Sequence, residues 1–341
     1  MYKITKNTKV YIGCPPNFAS GGPELLHQLC YFLNEKGINA YMFYNCNGKY
    51  DGNPVAKRFT HYETTFVEKI EDSEKNIFIV PESLMNSLMD YKLINKCIWW
   101  LGINHYLLPT ELYPHKYLRV VWHYILKFLG IKKVLTINEV KKQNISNWAQ
   151  CWYAVSYLRN KGLYNVAYLS DYISEQFIES YRRNKHKFNA DQKEDIVLYN
   201  PKRNTKYIKK LMKKAPDIKF QAIENMSPEE VKKLMLRAKI YIDFGSHPGK
   251  DRIPREAALQ GCCVLTSTLG SAGFFDDVPI LSEYKFDRNN RNVSKVISRI
   301  RYIFKEYEKE NCNFDKYREL IIKEKQVFDD DINKLFNYIE D

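Results

Sequence analysis

One stretch of this chain concentrates groups that could hold an anion: His247-Pro248-Gly249-Lys250-Asp251-Arg252-Ile253-Pro254-Arg255-Glu256. It lies between an apolar run, Ile240 to Phe244, and the helix-like Ala257-Ala258-Leu259. Lys250, Arg252 and Arg255 thus gather at a helix start, where cations oppose the helix dipole. Neutralising a bound anion is the simplest reason for them; surface pairing with Asp251 and Glu256 is the alternative. Glu256 could bond hydroxyl groups of a ligand or merely favour the helix N-terminus. Lys202 and Arg203 follow another apolar run, Ile196 to Tyr199, and could reach the same anion or form an exposed basic surface. Ser271, within Gly270-Ser271-Ala272-Gly273, follows a strand-like run and could bring backbone amides to a phosphate, or belong to a simple loop.

A second turn lies over 200 residues away. Ser20-Gly21-Gly22-Pro23-Glu24 joins strand-like Val10 to Cys14 to a helix-like run from Leu25 to Lys36. Gly21 and Gly22 let the backbone approach a phosphate or sugar without a Cβ in the way, though a plain strand-to-helix turn would read the same. It is not the G-x-G-x-x-G fingerprint. Both turns open a helix, and helix N-termini attract anions. In the same half, Glu82 and His105 each follow an apolar run, and Glu24 and His27 open the first helix. Each is a candidate general base on a hydroxyl or a structural residue. Asp171 reads as a helix cap. Asp329-Asp330-Asp331 mimics a metal-binding D-x-D, but an N-terminal helix cap fits better. No Cys/His cluster has zinc spacing, and no metal is expected.

The elements that position these residues alternate between strand and helix. Leu25, Leu26, Leu29, Phe32 and Leu33 give the first helix one apolar face, with proline expected at its first position. Ile77 to Val80 and Cys97 to Leu101 are short apolar runs of the kind found in parallel strands covered on both faces. The charged stretch Arg182 to Asp195 reads as a boundary. Beyond it the pattern restarts with strands near 196–199, 218–223, 240–244 and 263–266. Ser227-Pro228-Glu229-Glu230 forms a capping box between them. The expected organisation is an N-terminal domain over 1–182, a linker at 183–195, a C-terminal domain over 196–310, and terminal helices over 311–341 packing back toward the N-terminal domain. The fold class is α/β, with two Rossmann-like doubly wound domains facing across a cleft, and ligand expected at the carboxyl ends of the strands.

The chain's 341 residues carry a formal net charge of +13, which favours anionic partners. The lysines are dispersed and no nucleic-acid recognition module is evident, so nucleic acid is not an expected partner. Tyr117 to Leu129 is aromatic, apolar and basic, and reads as a membrane-surface helix or a buried one. No run reaches the roughly 18 apolar residues of a membrane span. The N-terminus does not read as a cleavable signal, and the eight cysteines show no paired spacing, so buried thiols in the cytoplasm are expected.

With these motifs in place, the chain resembles bacterial GT-B glycosyltransferases, particularly those of capsule, lipopolysaccharide or other surface-glycan assembly. The resemblance rests on Ser20-Gly21-Gly22 with its helix and on Asp243 through Gly273. In the retaining members a Gly-Gly turn approaches the donor diphosphate and an E-x7-E motif holds the donor. Glu256 followed by Ala257 matches the second glutamate, whereas Pro248 stands at the first. Lys202-Arg203 matches basic residues after the first strand of the second domain, and His105 looks like a histidine near the transferred sugar. The resemblance implies transfer from a nucleotide-sugar donor to a hydroxyl of a glycan or lipid-linked glycan, with the donor as a substrate and no cofactor. It also implies a cytoplasmic enzyme, peripheral on an anionic membrane face. An epimerase of the same fold and a non-catalytic nucleotide-sugar or glycan-binding protein are the alternatives.

Overall fold

The computed structural model describes residues 1–46, 50–107, 125, 128, 129, 135–203 and 205–339. The chain divides into two compact units, Met1–Leu169 with Asp329–Asp341, and Ser170–Phe328.

Unit 1 is built on a seven-stranded parallel sheet. Its strands are β2 (Lys9–Gly13), β3 (Asn39–Phe43), β4 (Phe66–Val67), β5 (Ile77–Pro81), β6 (Asn95–Trp100), β7 (Ser146–Ala149) and β8 (Val166–Tyr168), in the order β4-β3-β2-β5-β6-β7-β8. Among the described residues its helices are α1 (Gly21–Glu35), α2 (Ile103–Leu107), α3 (Ile137–Lys142) and α4 (Trp152–Asn160). All five residues of β5 are buried, as the continuous apolar run requires of a strand covered on both faces. Leu25, Leu26, Leu29 and Leu33 of α1 are at most 3% exposed, and each such burial stabilises by roughly 1.5–3 kcal/mol. Trp99 and Trp100 end β6 fully buried, and their indole N–H groups donate to Leu169 O and Asn147 Oδ1. This fixes the end of β6, where the chain turns into α2.

Unit 2 holds a five-stranded parallel sheet, β10-β9-β11-β12-β13, from β9 (Glu194–Tyr199), β10 (Lys219–Ala222), β11 (Ala238–Asp243), β12 (Cys263–Ser267) and β13 (Lys285–Phe286). Its helices are α5 (Glu175–Asn184), α6 (Thr205–Lys214), α7 (Pro228–Arg237), α8 (Arg252–Leu259), α9 (Val293–Lys305) and α10 (Tyr307–Cys312). The capping box of α7 forms as expected, with Ser227 and Glu230 bonding reciprocally. The last helix, α11 (Asp315–Leu335), begins in unit 2 and ends in unit 1. There β14 (Phe336–Tyr338) pairs in parallel with β1 (Tyr2–Ile4), joining the two ends of the chain.

Several expectations differ from this structure. Residues 183–195, expected as a linker, lie inside unit 2. They complete α5, form two short 3-10 turns and begin β9, and Lys193 among them is buried against three backbone carbonyls. Pro23 is the third residue of α1, still within the first turn, whose N–H groups lack helical partners. Asp329–Asp331 lies inside α11 and caps nothing. The stretch Tyr117–Leu129 falls outside the described residues except for 125, 128 and 129. No helix among the described residues is long and apolar enough to cross a membrane.

Candidate functional site

In unit 2 the candidate residues converge on the carboxyl ends of β9 and β11. Asp243 ends β11 buried, accepting from Gly245 N at 2.9 Å and from Tyr241 Oη at 3.2 Å. His247 sits above it with its backbone in the left-handed region, φ 43°. That conformation is costly for a residue with a Cβ and persists only where neighbours hold it. Here they do: Nε2 faces Asp243 O at 3.1 Å, and Nδ1 lies 2.8 Å from Asp251 Oδ2. Arg203 reaches the other Asp251 oxygen. Burial alone pulls the imidazole pKa down, but the Asp243 and Asp251 carboxylates overcome it and leave His247 raised. Burial pushes Asp251 up, and His247 and Arg203 together hold it lowered.

The next residues close a second ion network. Arg255 is fully buried; its Nη2 donates to Asp171 Oδ2 and its Nη1 to Glu324 Oε2, both at 2.7 Å. Lys250 pairs with the second Glu324 oxygen at 2.8 Å. Arg255 also donates to the carbonyls of Lys250 and Asp251, tying the first turn of α8 to the loop before it. Arg255 is therefore enclosed in protein contacts, and Asp171, expected as a helix cap, is instead its counter-ion; Ser174 occupies the N-cap of α5. The loop is buttressed from β12. Ser271 donates its backbone N–H to His247 O at 3.0 Å and its hydroxyl to Gly249 O at 2.6 Å. Gly270, φ 59°, is needed there, since a Cβ would lie 2.0 Å from His247 O.

Arg252 opens α8 and lies 3.9 Å from Glu256. Lys202 is exposed just after β9, and no ion pair among the described residues engages it. Asp243, His247 and Asp251 bring ligand-type atoms within 4.8 Å of one another. Within this set Arg203 engages one Asp251 oxygen, His247 Nδ1 lies 2.8 Å from the other, and the Asp243 carboxylate accepts from Gly245 N and Tyr241 Oη.

In unit 1 the candidate corner lies at the ends of β2, β5 and β6. Ser20 is an extended N-cap that makes no side-chain cap bond. The first amides of α1, at Gly21 and Gly22, sit in an exposed and a half-buried position. A Cβ on Gly21 would meet nothing within 4 Å, and one on Gly22 only Leu101 Cδ1 at 3.7 Å. Leu101 N and Gly102 N donate to the two oxygens of buried Glu82, at 2.8 and 3.1 Å. Glu82 thereby fixes the turn between β6 and α2. Burial pushes its carboxyl up to about 7, against the opposing pull of those N–H groups. Glu24 is buried and pairs with Arg58 at 3.2 Å. His27 is structural: it bonds Pro23 O and the Tyr44 hydroxyl, both at 2.8 Å, and burial lowers its pKa. His105 belongs to α2, and its side chain lies outside the described residues.

Sequence reasoning offered Asp251 as a surface partner of the loop's own cations but not its pairing with His247 and Arg203, and it missed Asp243 and Glu324. Asp243 ends a strand and Asp251 precedes a helix, which a search for carboxylates at element ends would find. Glu324 lies 69 residues from Arg255 on a helix face with no local signal.

No family model matches the chain, and no curated protein matches it by sequence. Solved structures do resemble it. HepE of Anabaena in complex with UDP is 8% identical with TM-score 0.59, covering 96% of this chain and 99% of that one. A glycosyltransferase from Rickettsia africae is 11% identical with TM-score 0.57, covering 97% and 99%. Sucrose-phosphate synthase from Thermosynechococcus elongatus is 12% identical with TM-score 0.55, covering 92% and 94%. At such identities the likeness establishes the fold: α/β, with two parallel sheets, as in GT-B glycosyltransferases.

Proposed function

We propose that this chain is a glycosyltransferase. It takes a sugar from a nucleotide donor, a UDP-sugar in the first instance, and places it on a hydroxyl of a glycan or lipid-linked glycan in bacterial surface polysaccharide synthesis. The observation that carries this reading is the likeness over 96% of the chain to HepE, which has been solved with UDP and with UDP-glucose. The placement of the candidate loops at strand carboxyl ends supports it.

In this reading the N-terminus of α8, Arg252 and Lys202 meet the diphosphate, and Glu256 takes ribose hydroxyls. His247, Arg203, Lys250 and Arg255 hold the loop in shape, with Ser271 bracing it. The Gly21 and Gly22 amides supply further donors. Charge develops on the leaving diphosphate as its bond to the sugar breaks, and preorganised donors stabilise it without a metal. In unit 1, His105 is the candidate base for the acceptor hydroxyl, Glu82 orients its turn, and Glu24 anchors the start of α1. The enzyme would work in the cytoplasm at an anionic membrane face, and nucleic acid is not a partner in this reading.

Calorimetric titration with UDP tests the donor half. Binding is expected, weakened about tenfold by Arg252→Ala and less by Lys202→Ala, since each charge-assisted bond is worth roughly 1.5–3 kcal/mol. Absence of binding to any nucleoside diphosphate would remove the assignment. Sugar transfer to a glycan acceptor, undiminished by chelator, tests the rest. Donor turnover without acceptor would favour an epimerase, and tight binding without turnover a non-catalytic protein.

A further inference from the structure

Beyond the turn that Glu82 fixes, the carboxyl edge of the unit 1 sheet ends in an aromatic corner. Trp152 opens α4 just after β7, and Tyr168 ends β8, the next strand in the sheet. Their rings stack, with centroids 5.2 Å apart and planes 21° from parallel. Trp152 nevertheless stays 38% exposed. Leaving that much of an indole in water forfeits burial that the core would reward. Tyr153, the next residue, reaches back to the turn after β6, where its hydroxyl donates to Asn104 Oδ1 at 3.0 Å. That bond takes the oxygen of the Asn104 amide and leaves both N–H donors of its nitrogen without a bond among the described residues. Asn104 stands on a fixed element. Tyr106 of the same helix packs edge-on against buried Trp100, and its hydroxyl accepts from Ile137 N at 3.2 Å.

An exposed indole surface and an amide donor at one sheet edge suit a ligand with an apolar face and hydroxyls at its rim. A pyranose ring has that form. Its axial C–H groups make a face that packs on an aromatic ring, and its equatorial hydroxyls lie outward, where an amide can meet them. Charge narrows the class. Burial raises the Tyr153 phenol, and among the described residues no charged side chain acts on it. A carboxylate or phosphate brought there would lose water without gaining a counter-charge, whereas sugar hydroxyls need only the amide and water.

We propose that Trp152 and Asn104 receive a neutral hexopyranose unit of the acceptor glycan, its C–H face on the indole and a hydroxyl on the amide. The Tyr168 stack holds the indole for it, and Asn104 directly precedes His105, the candidate base. The proposal rests on the glycosyltransferase reading, as the acceptor half of the same reaction. The test is saturation-transfer NMR on the full chain with the methyl pyranosides of glucose, galactose, mannose and N-acetylglucosamine. Methyl glucuronide is the anionic control, and UDP calorimetry runs on the same samples. At least one neutral glycoside is expected to bind, more tightly than the glucuronide, with transfer strongest to the protons of one ring face. Trp152→Ala should weaken it about tenfold and Trp152→Phe about threefold. Both variants should keep the wild-type circular dichroism and UDP affinity. Absence of neutral glycoside binding, binding unaltered by Trp152→Ala, or glucuronide binding as tightly as the neutral sugars would each overturn the proposal. A fall in UDP affinity with Trp152→Ala would overturn it too, by moving Trp152 to the donor. Glycoside binding that depends on Trp152 in a chain that binds no nucleotide would keep the sugar platform and remove the transferase reading.

Discussion

The turn after β11 in unit 2 and the turn after β2 in unit 1 both stand at the carboxyl ends of parallel strands, and they use charge in opposite ways. The unit 2 turn is dense in ions, yet most are consumed internally: His247 between two aspartates, Arg203 on Asp251, Arg255 on Asp171 and Glu324, Lys250 on Glu324. The unit 1 turn offers bare amides, with its nearest carboxylates turned inward onto Arg58 and onto backbone N–H groups. A cation-rich loop is thus first a device for holding its own shape, and only the residue of charge left over can meet a ligand. A glycine turn needs no such device, because its donors belong to the helix itself.

The largest way to break this contrast is Arg255→Ala. It leaves Asp171 buried without its bonded counter-ion and Glu324 with Lys250 alone, which costs about 3–5 kcal/mol. All five tryptophans lie within the unit 1 segment of the sequence. The loss should therefore show in circular dichroism during urea unfolding, while tryptophan fluorescence keeps its midpoint. An unchanged dichroism transition would mean that the network does not hold unit 2 together.

Next in size is the pH response of Glu82. Its folded carboxyl titrates near 7 against an ordinary value of 4.5, raised by burial. The native state therefore holds its proton more tightly than the unfolded chain does. The associated stability is fully present below about pH 4.5 and is lost as pH rises toward about 7, by up to roughly 3 kcal/mol. Glu82→Gln should flatten that slope in tryptophan-detected unfolding. It should also cost about 1–2 kcal/mol at acid pH, since an amide can accept only one of the two backbone N–H bonds. A slope that survives the substitution would place the titrating group elsewhere.

Asp251→Asn sharpens the unit 2 side by about 1–3 kcal/mol, the cost of a poorly satisfied buried group. His247 is raised in the folded state, so its contribution is full below about pH 6.5 and fades as pH rises through its folded value. Asp251 is lowered, so its own contribution is lost as pH falls below about 4; the deficit of the variant should accordingly be greatest between about pH 4 and 6.5 and shrink above neutrality. A deficit independent of pH would show that His247 does not depend on Asp251 for its charge.

Much of this architecture was readable along the chain because its signals are local. Continuous apolar runs marked β5, β6, β11 and β12; Ser227 to Glu230 marked the start of α7; Gly21-Gly22 marked α1. What escaped were the partnerships that fold at long range. The stretch 183–195 looked like a linker because its charges are frequent, but Lys193 is carried inside to three carbonyls that only the folded sheet assembles. Asp329–Asp331 looked like a cap because three acids resemble one, whereas α11 runs through them and Lys36 and Lys334 balance the charge. β14 escaped because its partner is β1, at the other end of the chain. Arg255 was legible as a cation at a helix start, and its burial was not, because Glu324 gives no signal near it.

The smallest structural effect is expected at the unit 1 turn, and it separates architecture from binding most cleanly. Gly21 is exposed, has no left-handed backbone, and would present an alanine Cβ to open space. Gly21→Ala should therefore change stability by less than about 1 kcal/mol, in the stabilising direction, because glycine costs a helix more than alanine. If the amides of α1 approach a diphosphate, that same methyl group stands where the phosphate oxygens must come, and UDP affinity should fall about tenfold in calorimetry with the fold intact. Gly22→Ala, whose Cβ would make an ordinary contact with Leu101 at 3.7 Å, should leave the fold intact and bring a similar loss. Unaltered UDP affinity in both variants would leave the nucleotide entirely to unit 2 and turn the glycine pair into a helix start with no ligand.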